Sequence, residues 1–342
     1  MSGLTVAVVG AGAWGTALAH VLAVAGNEVR IWCFEPEVAT DLNSRHENGL
    51  YLPGCKVDSS ILATSDLRQA VEGARIVVSV SPSQVVRSVM AEAAPFLSRD
   101  AVIVSASKGI ETSTLKLMHE VLGEVLPHHE EALAVLSGPS FAAEVARGMP
   151  TAVSIACRDP EAAVLLQKAF TCPFFRIYTL DDMVGVELGG ALKNVIALGA
   201  GIADGLGFGH NSRAALITRG IAEIGRMGRS MGANPITFLG LSGIGDLVLT
   251  CTGELSRNRA VGMRLGRGEK LDDILCSMKA VAEGVKTCRA VNDLAAGHGV
   301  DMPISRKVCE ILYEGKDPKL AVAELMGRPT KREFWSLEDF TR

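Results

Sequence analysis

Three glycines constrain this chain more than any other feature: Gly10, Gly12 and Gly15 in the run Gly10-Ala-Gly-Ala-Trp-Gly15. Ahead of them, Val6-Ala-Val-Val9 is a continuous apolar run of the kind buried on both faces of a parallel sheet. Behind them, Thr16 to Ala25 has helical character. In a strand–turn–helix unit each glycine of G-x-G-x-x-G has its own task. Gly10 permits the tight turn, Gly12 lets a pyrophosphate approach the backbone, and Gly15 lets the helix pack against the strand. The first-turn N–H groups of the helix then face the phosphates, aided by the helix dipole. The motif predicts a dinucleotide site.

Twenty residues after Gly15 stands Glu35, near the end of a second strand-like run, Val29-Arg-Ile-Trp-Cys-Phe-Glu35. An acidic residue there hydrogen-bonds the adenosine ribose and favours NAD over NADP. It reads equally as a surface residue in the loop before a helix starting at Pro36. Arg30 and Arg45 are cations that would neutralise a 2′-phosphate, so the pattern admits NADP or NAD.

Further apolar runs lie at 76–80, 102–105, 132–136, 151–156 and 174–178, separated by helical stretches such as 84–94 and 113–122. Alternating β and α segments with continuous apolar strands predict an α/β fold with an N-terminal Rossmann-type, doubly wound and mostly parallel sheet. Pro82 and Lys108-Gly109 fall just past strand ends, where ligands bind in such sheets. Near residue 185 the strand-like runs stop. Segments 214–227, 271–279, 287–296 and 319–324 fit helices. Two domains follow, 1–187 for the dinucleotide and 188–342 all-helical, for substrate binding and catalysis. The polar stretch 328–342 reads as a loosely held tail.

A net charge of −4 gives no basic footprint for nucleic acid. Residues 1–27 carry no Lys, Arg, Asp or Glu, yet there is no basic n-region and the three glycines interrupt the apolar run. They read as strand and turn, not as a signal peptide or membrane anchor, and a cytoplasmic location is expected. The eight cysteines include no C-x-x-C pair and read as free buried thiols. The seven histidines form no metal-ligand pattern, so no metal is expected.

Three segments carry candidate chemistry. The helical stretch from Val186 to Gly201 has only Glu187 and Lys193 as charges, and Lys193 neighbours Gly189, Gly190, Ile196 and Ala197 on its face. A lysine there either snorkels to water or is used, and burial makes it a proton donor and acceptor. Ser256-Arg257-Asn258 suits a phosphate, because arginine grips two oxygens at once. It reads equally as a helix start with Ser256 as N-cap. Ser137-Gly138-Pro-Ser140 follows a strand end and forms a turn with Ser140 as an anion donor.

Together GAGAWGTALA (10–19), SKG (107–109), SGPSFAAEV (137–145), the long block 187–220 beginning ELGGALKNVIALGAGIADG, and GIGDLVLTCTGELSRNR (243–259) resemble the bacterial nicotinamide-dependent glycerol-3-phosphate dehydrogenases. The resemblance spans about residues 4 to 330. It implies a helical domain like the C-terminal domain of 6-phosphogluconate dehydrogenase. It implies reversible reduction of dihydroxyacetone phosphate to sn-glycerol 3-phosphate by NAD(P)H, for phospholipid synthesis, in a homodimer. Lys193 would be the general acid, or the base in reverse. Lys108 would lie between cofactor and substrate, and Asp246 would orient Lys193 or a substrate hydroxyl, with Asn194 and Thr250 beside it. Ser256, Arg257 and Asn258 would hold the phosphate, with Gly138 and Ser140 contributing. Ala13, Trp14, Ala142, Arg257, Val281 and Glu283 would touch the cofactor. Many bacterial relatives carry a basic or neutral residue near Glu35 and use NADP, so the acidic residue departs from the pattern. The 6-phosphogluconate and hydroxyisobutyrate dehydrogenases share the two-domain plan, but the Ser256-Arg257-Asn258 anchor argues against them. A non-catalytic nucleotide sensor would have no reason to combine Lys108, Lys193 and Asp246.

Overall fold

A computed structural model describes residues 3–278, 282–330 and 332–333. The chain forms two compact units. The first holds residues up to 108 together with 116–183; the second holds 109–115 and the residues from 184 on. The expected boundary at 187/188 falls inside one unbroken helix, Met183–Gly205.

The first unit is built on eight strands: β1 Thr5–Val9, β2 Glu28–Trp32, β3 Leu62–Thr64, β4 Ile76–Ser79, β5 Val102–Ser105, β6 Leu133–Ser137, β7 Thr151–Cys157 and β8 Phe175–Leu180. Their order is β3-β2-β1-β4-β5-β6-β7-β8. All neighbours are parallel except β6 and β7. The order reverses at β1, whose neighbours are β2 and β4, and this is the switch point where doubly wound sheets bind ligands. Strands β1, β4, β5 and β6 are buried almost throughout, as their unbroken Val, Ile, Leu and Ala content requires.

The connecting helices are α1 Ala13–Val24, α2 Pro36–Arg45, α3 Leu67–Val71, α4 Val86–Ala93, α5 Met118–Val125, α6 Ala142–Ala146 and α7 Pro160–Phe170. Strand β3 has no counterpart in the sequence reading. It is three residues long, lies at the sheet edge and leaves Leu62 65% exposed, so it lacks an apolar run. The helix expected over 113–122 is also corrected. Residues 112–114 are a turn in which Leu115 N–H donates to Glu111 O at 2.8 Å, and Leu115 then adopts φ +60°, which stops helix growth. Helix α5 starts afresh at Met118, with the Glu120 carboxylate accepting from Leu117 N–H at 2.7 Å.

A pH dependence of stability arises in this unit. His20 on α1 accepts a hydrogen bond from Asp58 N–H on Nδ1 at 3.0 Å and stacks on Phe174. Burial lowers its pKa from 6.5, with the Asp58 carboxylate opposing. The folded state therefore resists a proton that the unfolded chain accepts. Stability is full above about 6.5 and declines as pH falls through that value, with a slope of at most about 1.4 kcal/mol per pH unit. Urea midpoints at pH 7 and pH 5 should differ more for the wild type than for His20→Asn; equal differences would remove His20 from the acid response.

The second unit is helical: α8 Met183–Gly205, α9 His210–Ser230, α10 Asp246–Thr252, α11 Arg257–Gly266, α12 Leu271–Cys276, α13 Glu283–Gly297, α14 Pro303–Tyr313 and α15 Pro318–Met326. Helix α8 has the length and hydropathy to cross a membrane, but its apolar stretch is wholly buried in the folded chain, so it is a core helix. Glycines set its closest contact. A Cβ on Gly201 or Gly205 would lie 2.1 or 2.2 Å from the carbonyl of Arg259 or Met263. On α11, a Cβ on Gly262 or Gly266 would lie 2.1 or 2.4 Å from the carbonyl of Leu198 or Ile202. The two backbones thus touch along four small positions. An ion triad pins the same pair: Asp204 on α8 accepts from Arg259 of α11 at 2.8 Å and from Arg213 of α9 at 2.5 Å.

The cysteines are all free, but Cys276 is exposed and Cys172 and Cys309 are half-buried, against the expectation that all are buried. Position 279 of the expected helix 271–279, and most of the expected tail, lie outside the described residues.

Candidate active site

At the end of β1 the chain turns at Gly10 with φ +124°, and Gly10 N–H donates to Trp32 O on β2 at 3.2 Å. A Cβ on Gly15 would stand 1.9 Å from Gly10 O, so only glycine allows α1 to seat on this turn. A Cβ on Gly12 would project into open space, and no side chain caps α1 there. The bare turn and uncapped N–H groups of the first turn, Ala13-Trp14-Gly15, fit a dinucleotide pyrophosphate.

The turn is braced by a residue the sequence reading did not single out. Asn48, fully buried, donates from Nδ2 to Ala11 O and to Thr16 Oγ1, both at 2.8 Å. Its Oδ1 accepts from Tyr51 N–H at 3.0 Å. The segment around Tyr51 is thereby tied to the glycine turn. Glu35 is the N-cap residue of α2, in extended conformation, and its carboxylate accepts from the Tyr51 hydroxyl at 2.7 Å. Arg30 donates to the carbonyls of Gln69 and Glu72, and Arg45 pairs with Asp41 at 2.5 Å.

On the same unit, Lys108 extends past the end of β5. Its Nζ donates to Gly138 O at 3.1 Å and lies 6.0 Å from the Trp14 ring centroid. The Trp14 indole N–H is buried with no hydrogen-bond partner. Gly138 has φ +149°, and a Cβ there would come within 2.9 Å of Val153 Cα. Ser140, expected as an anion donor, directs its hydroxyl onto Gly138 O at 3.0 Å. Ala142 opens α6.

The second unit gathers the remaining candidates around the middle of α8. Lys193 is 6% exposed and does not snorkel to water. Its ammonium pairs with Asp246 Oδ1 at 2.5 Å and donates to Thr250 Oγ1 at 3.0 Å. The Thr250 hydroxyl donates to Asp246 O at 2.6 Å, so it takes the lysine proton on its lone pair. Asp246 is 1% exposed; burial at that depth is sustainable only because each charge meets the other. A π-helical turn, Leu241–Gly245, delivers Asp246 to α10. It can approach α8 because Gly189 has no side chain: a Cβ there would lie 2.3 Å from Ser242 O.

Asn194, next to Lys193, is the meeting point of two helix starts. Asn258 donates from Nδ2 to Asn194 Oδ1 at 2.9 Å and accepts on Oδ1 from Gly284 N–H at 3.0 Å. Helix α13 comes this close because Gly284 would otherwise place a Cβ 2.6 Å from Asn194 O. Ser256 is the N-cap of α11, its Oγ accepting from Arg259 N–H at 3.2 Å, so the capping alternative is realised and its hydroxyl proton remains to donate. Arg257 is exposed by surface area yet crowded, and desolvation lowers its pKa while the Glu283 carboxylate opposes. Arg257 and Glu283, distant in sequence, are thus electrostatic neighbours. Val281 lies outside the described residues.

Family models for the N-terminus and the C-terminus of NAD-dependent glycerol-3-phosphate dehydrogenase match residues 5–163 and 182–323. The chain is 55% identical over 332 residues to a glycerol-3-phosphate dehydrogenase [NAD(P)+] of Geobacter metallireducens, covering 97% of this chain and 99% of that one. It superposes on the crystal structure of glycerol-3-phosphate dehydrogenase from Coxiella burnetii with a TM-score of 0.91 at 39% identity, over 96% of this chain and 100% of that one. The yeast glycerol-3-phosphate dehydrogenase structure gives 0.82 at 27% identity, over 95% of this chain and 100% of that one.

Proposed function

The chain belongs to the NAD-dependent glycerol-3-phosphate dehydrogenase family, and from that premise we propose that it interconverts dihydroxyacetone phosphate and sn-glycerol 3-phosphate with Lys193 as its proton-transfer group. The observation that carries the assignment of Lys193 is its buried ion pair with Asp246, completed by Thr250. A bound nicotinamide would supply the hydride for reduction of the carbonyl carbon and accept it in the reverse direction. Negative charge then builds on the substrate oxygen during reduction. An ammonium held by two partners answers that charge without reorganising and gives up a proton, an effect worth about 10²–10⁴-fold. In the oxidation direction Lys193 takes the alcohol proton.

Asp246 and Thr250 fix the direction of the Lys193 Nζ. Ser256, Arg257 and Asn258 at the start of α11 hold the substrate phosphate, where the helix N-terminus adds its dipole. Asn194, bonded to Asn258, links that anchor to the lysine. Binding energy from the phosphate, remote from the reacting carbon, orients the carbonyl. On the first unit we assign the turn at Gly10 to Gly15 and Glu35 to the adenosine and pyrophosphate of the cofactor. Trp14, Lys108, Gly138, Ser140 and Ala142 we assign to its nicotinamide end and to the substrate, and Glu283 likewise to the cofactor. The product serves phospholipid synthesis, and the enzyme works in the cytoplasm as a homodimer.

Mixing the protein with dihydroxyacetone phosphate and either NADH or NADPH tests the reaction. Loss of nicotinamide absorbance at a rate proportional to enzyme is the expected result. Binding of both dinucleotides with no oxidation of either would overturn the substrate assignment.

A further inference from the structure

The end of β2 presents charges of one sign. After Trp32 the chain reads Cys33-Phe34-Glu35-Pro36-Glu37. Cys33 is buried, Phe34 is 77% exposed, and Glu37 sits exposed in the first turn of α2. The two arginines that sequence alone offered as counter-ions are engaged elsewhere. Arg30 is spent on the carbonyls of Gln69 and Glu72, which close α3, and Arg45, in the last turn of α2, on Asp41. Lys56 donates to Arg45 O and pairs with Glu47.

Glu35 is placed, not merely present. Gly10 N–H bonds Trp32 O, which sets the end of β2 beside the glycine turn. Asn48 ties Tyr51 to the same turn, and the Tyr51 hydroxyl grips Glu35 Oε1 at 2.7 Å. We propose that Glu35, positioned by Tyr51, reads the 2′-hydroxyl of the adenosine ribose and makes this enzyme select NAD(H) over NADP(H). A carboxylate offers about four acceptor sites, and the phenol takes one, leaving sites for the two ribose hydroxyls. A 2′-phosphate in the same place would meet Glu35 and Glu37, while Arg30, Arg45 and Lys56 are already committed to other partners, so like charges would be driven together with desolvation. The hydrogen bond to Glu35 pushes the Tyr51 phenol up to about 12. The phenol therefore stays protonated and a donor to Glu35 at any working pH. The relatives' printed name admits both cofactors, so the selectivity is argued from Glu35 and Tyr51 alone.

The inference rests on the dehydrogenase reading, and calorimetry with NADH and NADPH in the absence of substrate separates the two. The wild type should bind NADH at least about tenfold more tightly than NADPH, which is about 1.4 kcal/mol. Glu35→Gln should bring that ratio below about 3, chiefly by improving NADPH. Tyr51→Phe should also lower the ratio, because Glu35 loses its fixed orientation. A wild-type ratio of one or less overturns the selectivity. A Tyr51→Phe protein that loses affinity for both dinucleotides equally has lost only packing, which overturns the positioning role. If neither dinucleotide binds, the cofactor reading itself fails; if the ratio holds while dihydroxyacetone phosphate is not reduced, only the substrate reading fails.

Discussion

Lys193→Ala will lower kcat by about 10²–10⁴-fold and leave NADH affinity within about twofold. The loss belongs to kcat because the ammonium matters most when charge has built on the substrate oxygen, and less in the ground state. The variant carries a second effect that must be separated from the first. Lys193 and Asp246 are 6% and 1% exposed, and removing one partner strands a buried charge, at a cost of about 3–5 kcal/mol. A dead enzyme could then be an unfolded one. The double variant Lys193→Met, Asp246→Asn removes both charges and keeps similar volumes. It should recover most of the thermal stability lost by Lys193→Ala and none of the turnover. Wild-type turnover in a folded Lys193 variant would move the proton to another group. Recovery of turnover in the double variant would reduce the lysine to a structural part.

The features legible in sequence are those that act through local spacing. Gly10, Gly12 and Gly15 declare their turn because each does its work within a few residues of the others; the chain turns at Gly10 with positive φ and α1 seats on Gly15, while the space a Gly12 side chain would fill stands open. The apolar runs declare the sheet for the same reason. Lys193 stood out because a lone cation on a helix face of small and apolar residues is costly unless partnered, and its partners are Asp246 and Thr250, 53 and 57 residues on. What sequence did not display are pairings that leave no periodic trace. Asn48 reaches back 37 residues to brace the glycine turn. Tyr51 orients Glu35 across 16 residues. Strand β3 gains its place from β2 and not from its own composition. Gly201, Gly205, Gly262 and Gly266 look like ordinary helix-weakening glycines until α8 and α11 are seen to touch there. The turn at 112–114 reads as helix because its first hydrogen bond is helical; only the left-handed Leu115 ends it.

Arg257→Ala will raise the KM for dihydroxyacetone phosphate by about 10- to 150-fold, because a charge-assisted bond to a phosphate is worth about 1.5–3 kcal/mol. The sizes of kcat and KM effects distinguish this residue from Lys193. The phosphate is bound in the ground state and the transition state alike, so its anchor contributes mainly to KM. Arg257→Lys restores the charge but not the planar fork, and should recover only part of the loss. Unphosphorylated dihydroxyacetone supplies the control. It has the same carbonyl and no anion, so its kcat/KM should change by less than about twofold in Arg257→Ala. Two competing outcomes have distinct signatures. A general distortion of α11 would weaken both substrates, since Asn258 and Ser256 on the same turn bond to Asn194 and to the α11 backbone. Loss of a cofactor contact would instead raise the KM for NADH, because Arg257 lies in the field of Glu283, which we assign to the cofactor. An unchanged KM for dihydroxyacetone phosphate would place the phosphate anchor elsewhere. Selective damage to the phosphorylated substrate requires that the guanidinium, and not merely the helix that carries it, holds the anion.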